Sequence, residues 1–406
     1  MAIALQVANR PIEDHLADVD AALSQSASAQ TAAAAAQAVA NSALAAIPPE
    51  ITKRPESWYA VGDGVANDTW ALQQAINAMG ESGAVELRPG AIYSVDEIAL
   101  KTFAGSWNKL GLFCRGGTAT IRARSASSSM VATDRWFGSH QWKAYAGQPY
   151  RIANVVFDAN NLAQRALTLK TYGSELIGVQ CINAVGDFGA VITRRNQDGT
   201  LGTTTYLSDN AVQHCMFRNN AGAQFGTQGA ADNNTQAVTD LSVEGCIAFG
   251  GAEGFWFPNC GGLQFKKNRM YSLTQSAARF ECLGRGHNIT GGNNFDGAPV
   301  KIGGQNGYDK AIILGGGNDY YVPLHLILSD NDAPEHVVIE GERFWRNQSG
   351  SVQAYIELQN NRANKKIAPV NCTFATATPF RFAAGVTNTG QYIGRDNYSA
   401  DAGGWL

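Results

Sequence analysis

The stretch "GDGVANDTWALQQAIN", residues 62–77, decides the fold. Gly62 and Gly64 bracket Asp63 in a tight turn, and Asn67 or Asp68 can cap a following helix by accepting a bond from an orphan backbone N–H. Trp70, Leu72, Ala75, Ile76 and Met79 are expected on one apolar face, and Gly80 and Gly83 stop the helix. "AVELRPGAIYSV" (84–95) then reads as strand, Pro-Gly turn and strand. A short helix plugs something, and a strand leads away from it.

Working outward, the residues before this stretch differ in kind. Asn9 and Pro11 open a helix in which Ile12, Leu16, Val19 and Leu23 follow at steps of four, three and four, the rhythm of a coiled-coil seam. The seam then falls to Ala and Ser, which bury little, so this stripe is useful chiefly if copies pack together. "IPPE" (47–50) ends the helix. The competing expectation is an exposed Ala-rich leader. No basic region precedes an apolar core at the N-terminus, so no secretion signal is expected. The segment 26–47 holds too much Gln, Asn and Ser to span a membrane.

After residue 95 the chain repeats. One column of apolar strand ends contains Phe157, Ile182, Phe217, Ile247, Met270, Phe295, Tyr320, Phe344 and Phe374. A second holds triplets with one outward residue between two inward ones. They are "LTL" (167–169), "AVI" (190–192), "AQF" (223–225), "FWF" (255–257), "ARF" (278–280), "VKI" (300–302), "LHL" (324–326), "IEL" (356–358) and "FRF" (380–382). A period of some two to three dozen residues is that of a solenoid whose coils stack strand on strand. The outward residues of the second column would be Thr168, Val191, Gln224, Trp256, Arg279, Lys301, His325, Glu357 and Arg381.

The segment "YAVGDGVANDTWALQQAINAMGESGAVELRPGAIYSV" (59–95) resembles the entry motif of the pectate-lyase-like right-handed parallel β-helix family, bacteriophage tailspikes and tail fibres above all. Gly62, Asp63, Gly64, Asp68, Thr69, Ala71, Gln73, Ala75, Ile76, Gly83, Val85, Leu87, Pro89, Gly90 and Tyr93 keep its pattern, while Val61 and Asn67 depart from it. The resemblance implies a mainly β chain: helical stalk over 1–50, entry cap over 51–100, parallel β-helix over 101–385 and C-terminal cap over 386–406. It also implies a homotrimer made in the host cytoplasm and carried on the virion tail. The N-terminal helix would be held by a phage tail or baseplate protein, and the rod would meet bacterial surface polysaccharide, lipopolysaccharide or capsule.

Chemistry is less specified. An outward Trp256 suits either the C–H face of a sugar, with Arg279, Lys301 and Gln224 as polar neighbours, or a neighbouring subunit. A glycoside hydrolase needs two suitably spaced carboxyls. Glu253 and Glu281 are the leading pair, with Asp187 and Asp232 as weaker candidates. A lyase would instead take Arg279 or Lys301 as base. The open readings are therefore a depolymerase, a glycan-binding fibre that leaves its ligand intact, and a free bacterial polysaccharide lyase.

Other classes are disfavoured. With 31 basic against 34 acidic residues and no basic stripe, nucleic acid is not an expected partner. Seven cysteines without a CxxC pair read as buried thiols, and six scattered histidines give no metal site; no cofactor is expected. Asp158, Asn160 and Asn161 are expected to form a turn, as are Asn219, Asn220, Asn293 and Asn294.

Overall fold

The computed structural model describes Ala38 and residues 52–103, 108–137, 149–200, 207–229, 238–282, 287–296, 298–303, 312–321, 326–328, 336–345, 356–358, 366–374, 380–382, 398–399 and 404–405. The proposed seam at Ile12, Leu16, Val19 and Leu23 lies outside the described residues, as do Asp232 and His325.

Two long sheets, of 12 and 25 strands, run the length of the described chain. In the first, each strand pairs in parallel with its counterpart one coil later, from Thr52–Lys53 through Ala84–Leu87 and Leu110–Cys114 to Lys366–Val370. The second collects the two other strands of each coil. Among the described residues the one antiparallel pair is Tyr398–Ser399 with Gly404–Trp405, next to the parallel pairing of Tyr398–Ser399 with Thr373–Phe374. The molecule is mainly β, a stacked solenoid.

Inward residues of successive coils form continuous ladders. Tyr93, Ile121, Phe157, Cys181, Phe217, Ala248, Met270, Phe295, Tyr320, Phe344 and Phe374 stand in one register and are all buried. The rings of Phe295, Tyr320, Phe344 and Phe374 stack at 5.0, 4.5 and 4.8 Å, the spacing of neighbouring strands. Each such ring contributes on the order of 2 kcal/mol by leaving water.

The first column is corrected at two coils: Cys181 and Ala248, not Ile182 and Ile247, point inward. Both isoleucines are buried on the outer side, so their apolar character misled the register. The second column is corrected by two residues at two coils. Phe225-Gly226-Thr227 and Leu326-Ile327-Leu328 stand where 223–225 and 324–326 were expected. A slip of two keeps every side chain on its face, so alternation cannot detect it.

The helix α1 (Thr69–Asn77) contacts three strands of the first coil, with Leu72, Ala75 and Ile76 buried beneath it. Trp70 is corrected: it is 60% exposed. At 3.6 residues per turn it lies opposite the 72/75/76/79 stripe. Asp68 does not cap the helix with its side chain. Its buried carboxylate accepts the N–H groups of Val61 (2.7 Å) and Gly62 (3.1 Å), pinning the backbone that enters the strand Asp63–Asn67, where Gly62 has φ +66°.

Polar ladders hold the turns. Asn268 Oδ1 accepts Cys246 N–H at 2.9 Å; Asn293 Oδ1 accepts Asn268 N–H at 2.9 Å; Asn318 Oδ1 accepts Asn293 N–H at 2.9 Å. Glu342 takes the next rung, its Oε1 accepting Asn318 N–H at 3.3 Å and Nδ2–H at 3.1 Å. All four side chains are buried. Asn293 and Asn220 are thus interior rungs and Asn294 lies on the outer face of a strand, whereas Asn219, at φ +57°, does form a turn. The expected turn at 158–161 is present: Asp158 Oδ1 accepts Asn160 N–H, and Asn160 and Asn161 are left-handed. Six cysteines (114, 181, 215, 246, 260 and 372) are buried thiols outside any disulfide, and burial raises the thiol pKa of Cys181, Cys246 and Cys260.

Candidate functional site

One outward column of the second sheet reads Val191, Gly226, Trp256, Arg279, Lys301 in consecutive coils. "FWF" and "ARF" are therefore vertical neighbours. Gly226, not Gln224, lies beside Trp256, and this absence of a side chain shapes the site.

Phe188 and Trp256 belong to coils two steps apart, roughly 9–10 Å for strands at normal spacing. Their ring centroids are nevertheless 5.3 Å apart, with planes at 16°. The rings lean into the space that Ala223 and Gly226 leave open. A Cβ on Gly226 would fall 2.0 Å from Trp256 O and 2.6 Å from Phe188 Cε1. Gly226→Ala is therefore expected to destabilise the protein by about 1–3 kcal/mol, the usual cost of overpacking. An unchanged denaturant midpoint would contradict this packing.

The indole has two partners within its own chain. Phe188 stacks on it, and Arg279 Cζ, on the coil beyond, lies 4.6 Å from the ring centroid. The indole Nε1–H donates to Glu281 Oε2 at 3.1 Å. Trp256 is partly buried, packed within its own chain against Phe188 and Arg279.

Arg279 joins the two leading carboxylates. Its Nη1 donates to Glu253 Oε1 at 3.1 Å and its Nη2 to Glu281 Oε1. Burial disfavours the guanidinium charge, but Glu281 and Glu253 outweigh it and raise the Arg279 pKa. Glu253 is nearly covered, its side chain 8% exposed against 27% for Glu281. The space between the two carboxyls, where a glycosidic oxygen and a water would have to fit, holds a guanidinium.

Asp187 lies at the other end of the cluster. It makes a two-pronged ion pair with Arg165 (2.7 and 2.6 Å), whose guanidinium carbon is 5.9 Å from the Phe188 ring centroid. Along the rod the order is Arg165, Phe188, Trp256, Arg279: two stacked rings between two cations. Lys301 follows Arg279 one coil on and is partly exposed. Gln224 is corrected. It is fully buried, donating to Asn220 O and Gly250 O at 2.9 Å, and does not reach this surface. Sequence reasoning missed Arg165 and Phe188, because nothing in their spacing announces that two coils close over a glycine.

Just after the strand Phe188–Thr193, Arg195 Nε donates to Gly229 O at 2.7 Å. Among the described residues no group of three His, Cys, Asp or Glu could hold a metal, and no helix is long and apolar enough to cross a membrane.

No family model matches the chain, and no curated protein matches it. Solved structures do. A mutant tailspike protein of E. coli bacteriophage HK620, in complex with a pentasaccharide, superposes with a TM-score of 0.58 over 86% of this chain and 65% of that one, at 12% identity. The Dettilon tailspike protein gives 0.56 over 86% and 68%, also at 12% identity. The fold is that of the tailspikes. It is shared with an enzyme too: the A-module of the Azotobacter vinelandii mannuronan C-5 epimerase AlgE4 matches at 0.50, over 84% of this chain and 99% of that one, at 14% identity. The chain spans 65% of the length of the HK620 protein.

Proposed function

We propose that this chain is the receptor-binding rod of a bacteriophage tail, a tailspike or tail fibre that holds bacterial lipopolysaccharide or capsule during adsorption. The observation that carries this reading is the two-sheet solenoid, which follows tailspike structures over 86% of the chain. The charged outer column supports it. Arg279, Glu281 and Lys301 present donors and acceptors on a rigid wall, which suits sugar hydroxyls better than an apolar partner. On this reading the solenoid is right-handed, the stalk over 1–50 trimerises through Ile12, Leu16, Val19 and Leu23, and a tail or baseplate protein receives it. Sedimentation of the full chain is expected to give three times the 43.2 kDa chain mass; a monomer would remove the trimer.

Binding without cleavage fits the geometry best, because Arg279 stands between Glu253 and Glu281. Hydrolysis is the second reading, favoured by the convergence of those carboxylates on one group. Incubation with purified lipopolysaccharide and capsule should give saturable binding and chains of unchanged length on gel filtration. Arg279→Lys keeps the charge but cannot hold both carboxylates in one planar fork, and should weaken binding about tenfold. Shortened chains, lost in Glu253→Gln and Glu281→Gln, would establish hydrolysis. Absence of binding would overturn the reading.

A further inference from the structure

The strand Ile247–Gly261 bends at Gly250 and Gly251, and on the other side of that bend lies a second outward column. Phe249 stands beside Tyr271 in register, their rings stacked at 5.1 Å and 6°. The column continues because the parallel ladder runs one residue past each inward ring. Asp296 N–H donates to Met270 O at 2.8 Å, Tyr321 N–H to Phe295 O at 3.0 Å, and Trp345 N–H to Tyr320 O at 2.8 Å. Successive coils thus present Phe249, Tyr271, Asp296, Tyr321 and Trp345 on one line parallel to the rod.

Three features distinguish this line from ordinary surface. Isolated surface aromatics need no explanation, but here half-buried Phe249, Tyr271 and Tyr321 and exposed Trp345 occupy four of five consecutive coils, with Asp296 between the two pairs. Trp345 is fixed: its Nε1–H donates to Asp319 Oδ1 at 2.8 Å, and Arg343 holds the same carboxylate at 2.7 and 2.8 Å. Arg218, at the Phe249 end, has a buried Nε without a hydrogen-bond partner. The stripe is therefore rigid, aromatic and polar at its edges.

We propose that this column is a saccharide-binding groove, in which a polysaccharide lies along the rod axis and one sugar ring sits between Tyr271 and Tyr321 over Asp296. Tyr271 and Tyr321 are two coils apart, roughly 9–10 Å, which leaves room between two aromatic faces for one pyranose ring. Asp296 forms the floor, placed to accept from ring hydroxyls. The arrangement deepens the function proposed above and rests on it. It adds a second face to the Arg279 cluster, around the bend from Glu253.

The test uses the full-length protein on an array of bacterial O-antigen and capsular oligosaccharides. Wild type is expected to bind at least one, and Tyr271→Ala and Tyr321→Ala each to weaken that binding tenfold or more. Titration with the bound oligosaccharide should shift tryptophan fluorescence, and Trp345→Phe should abolish the shift. That readout stands even if a tyrosine variant fails to fold. Equal binding by wild type and both tyrosine variants would overturn the groove and leave the receptor-binding reading intact. Variants that change the oligomeric mass and not glycan affinity would reassign the stripe to contact between copies, overturning it likewise. A wild type that binds nothing on the array would remove the receptor-binding reading, and the groove with it.

Discussion

Asn293→Ala is expected to cost about 4 kcal/mol, the largest loss from any single substitution considered. Five hydrogen bonds converge on this fully buried side chain. Its Oδ1 accepts from Asn268 N (2.9 Å) and Nδ2 (3.2 Å), and its Nδ2 donates to Phe265 O, Thr290 O and Asn318 Oδ1. Alanine leaves the Asn268 N–H and at least one carbonyl buried without these partners, each at about 1–3 kcal/mol, beside a new cavity. A solenoid coil contacts chiefly its two neighbours, so the damage should be local. Amide exchange should accelerate first in the coils of Asn268, Asn293 and Asn318, before global unfolding in urea. A midpoint within 1 kcal/mol of wild type, with uniform exchange, would show that the ladder contributes little.

The second large effect depends on pH. Glu342 occupies the rung after Asn318, where an asparagine would continue the series. Burial is the main cause that lifts its carboxyl from 4.5 to about 7, and the hydrogen bonds it accepts offset only part. A group whose folded pKa is raised contributes stability that is complete below about 4.5 and is lost as pH rises through about 7. The shift corresponds to about 3 kcal/mol across that window. Glu342→Gln keeps an acceptor for Asn318 and cannot ionise. Wild type should therefore lose stability between pH 5 and 8 relative to the variant, which should be the more stable protein at pH 8. Parallel melting profiles for the two across that range would refute a buried ionisable rung.

How much of this was legible beforehand differs element by element. The buried face of α1 and the inward ladder from Met270 to Phe374 follow from residue type and period, whereas Asp63 and Gly64, expected in a tight turn, lie in the strand Asp63–Asn67. Trp70 was misplaced because an apolar residue was assigned to the core, although helical geometry puts it opposite the stripe. Glu253, Glu281, Trp256 and Arg279 were singled out together, and they do meet. Their relationship was not foreseen: the tryptophan packs on Phe188 and Arg279, and the two carboxylates share one arginine. Gln224 was drawn to the surface by a register error that alternation cannot reveal.

The sequence by itself determined that the chain winds as a solenoid, because inward apolar residues recurring at coil length are a property of the one-dimensional pattern. Only the tertiary structure decided what stands above what. Insertions of variable length separate the coils, so vertical neighbours such as Gly226 and Trp256, or Tyr271, Asp296 and Tyr321, are fixed by hydrogen-bond register between strands. That register is set by packing of the whole stack and is not encoded in any local run of residues.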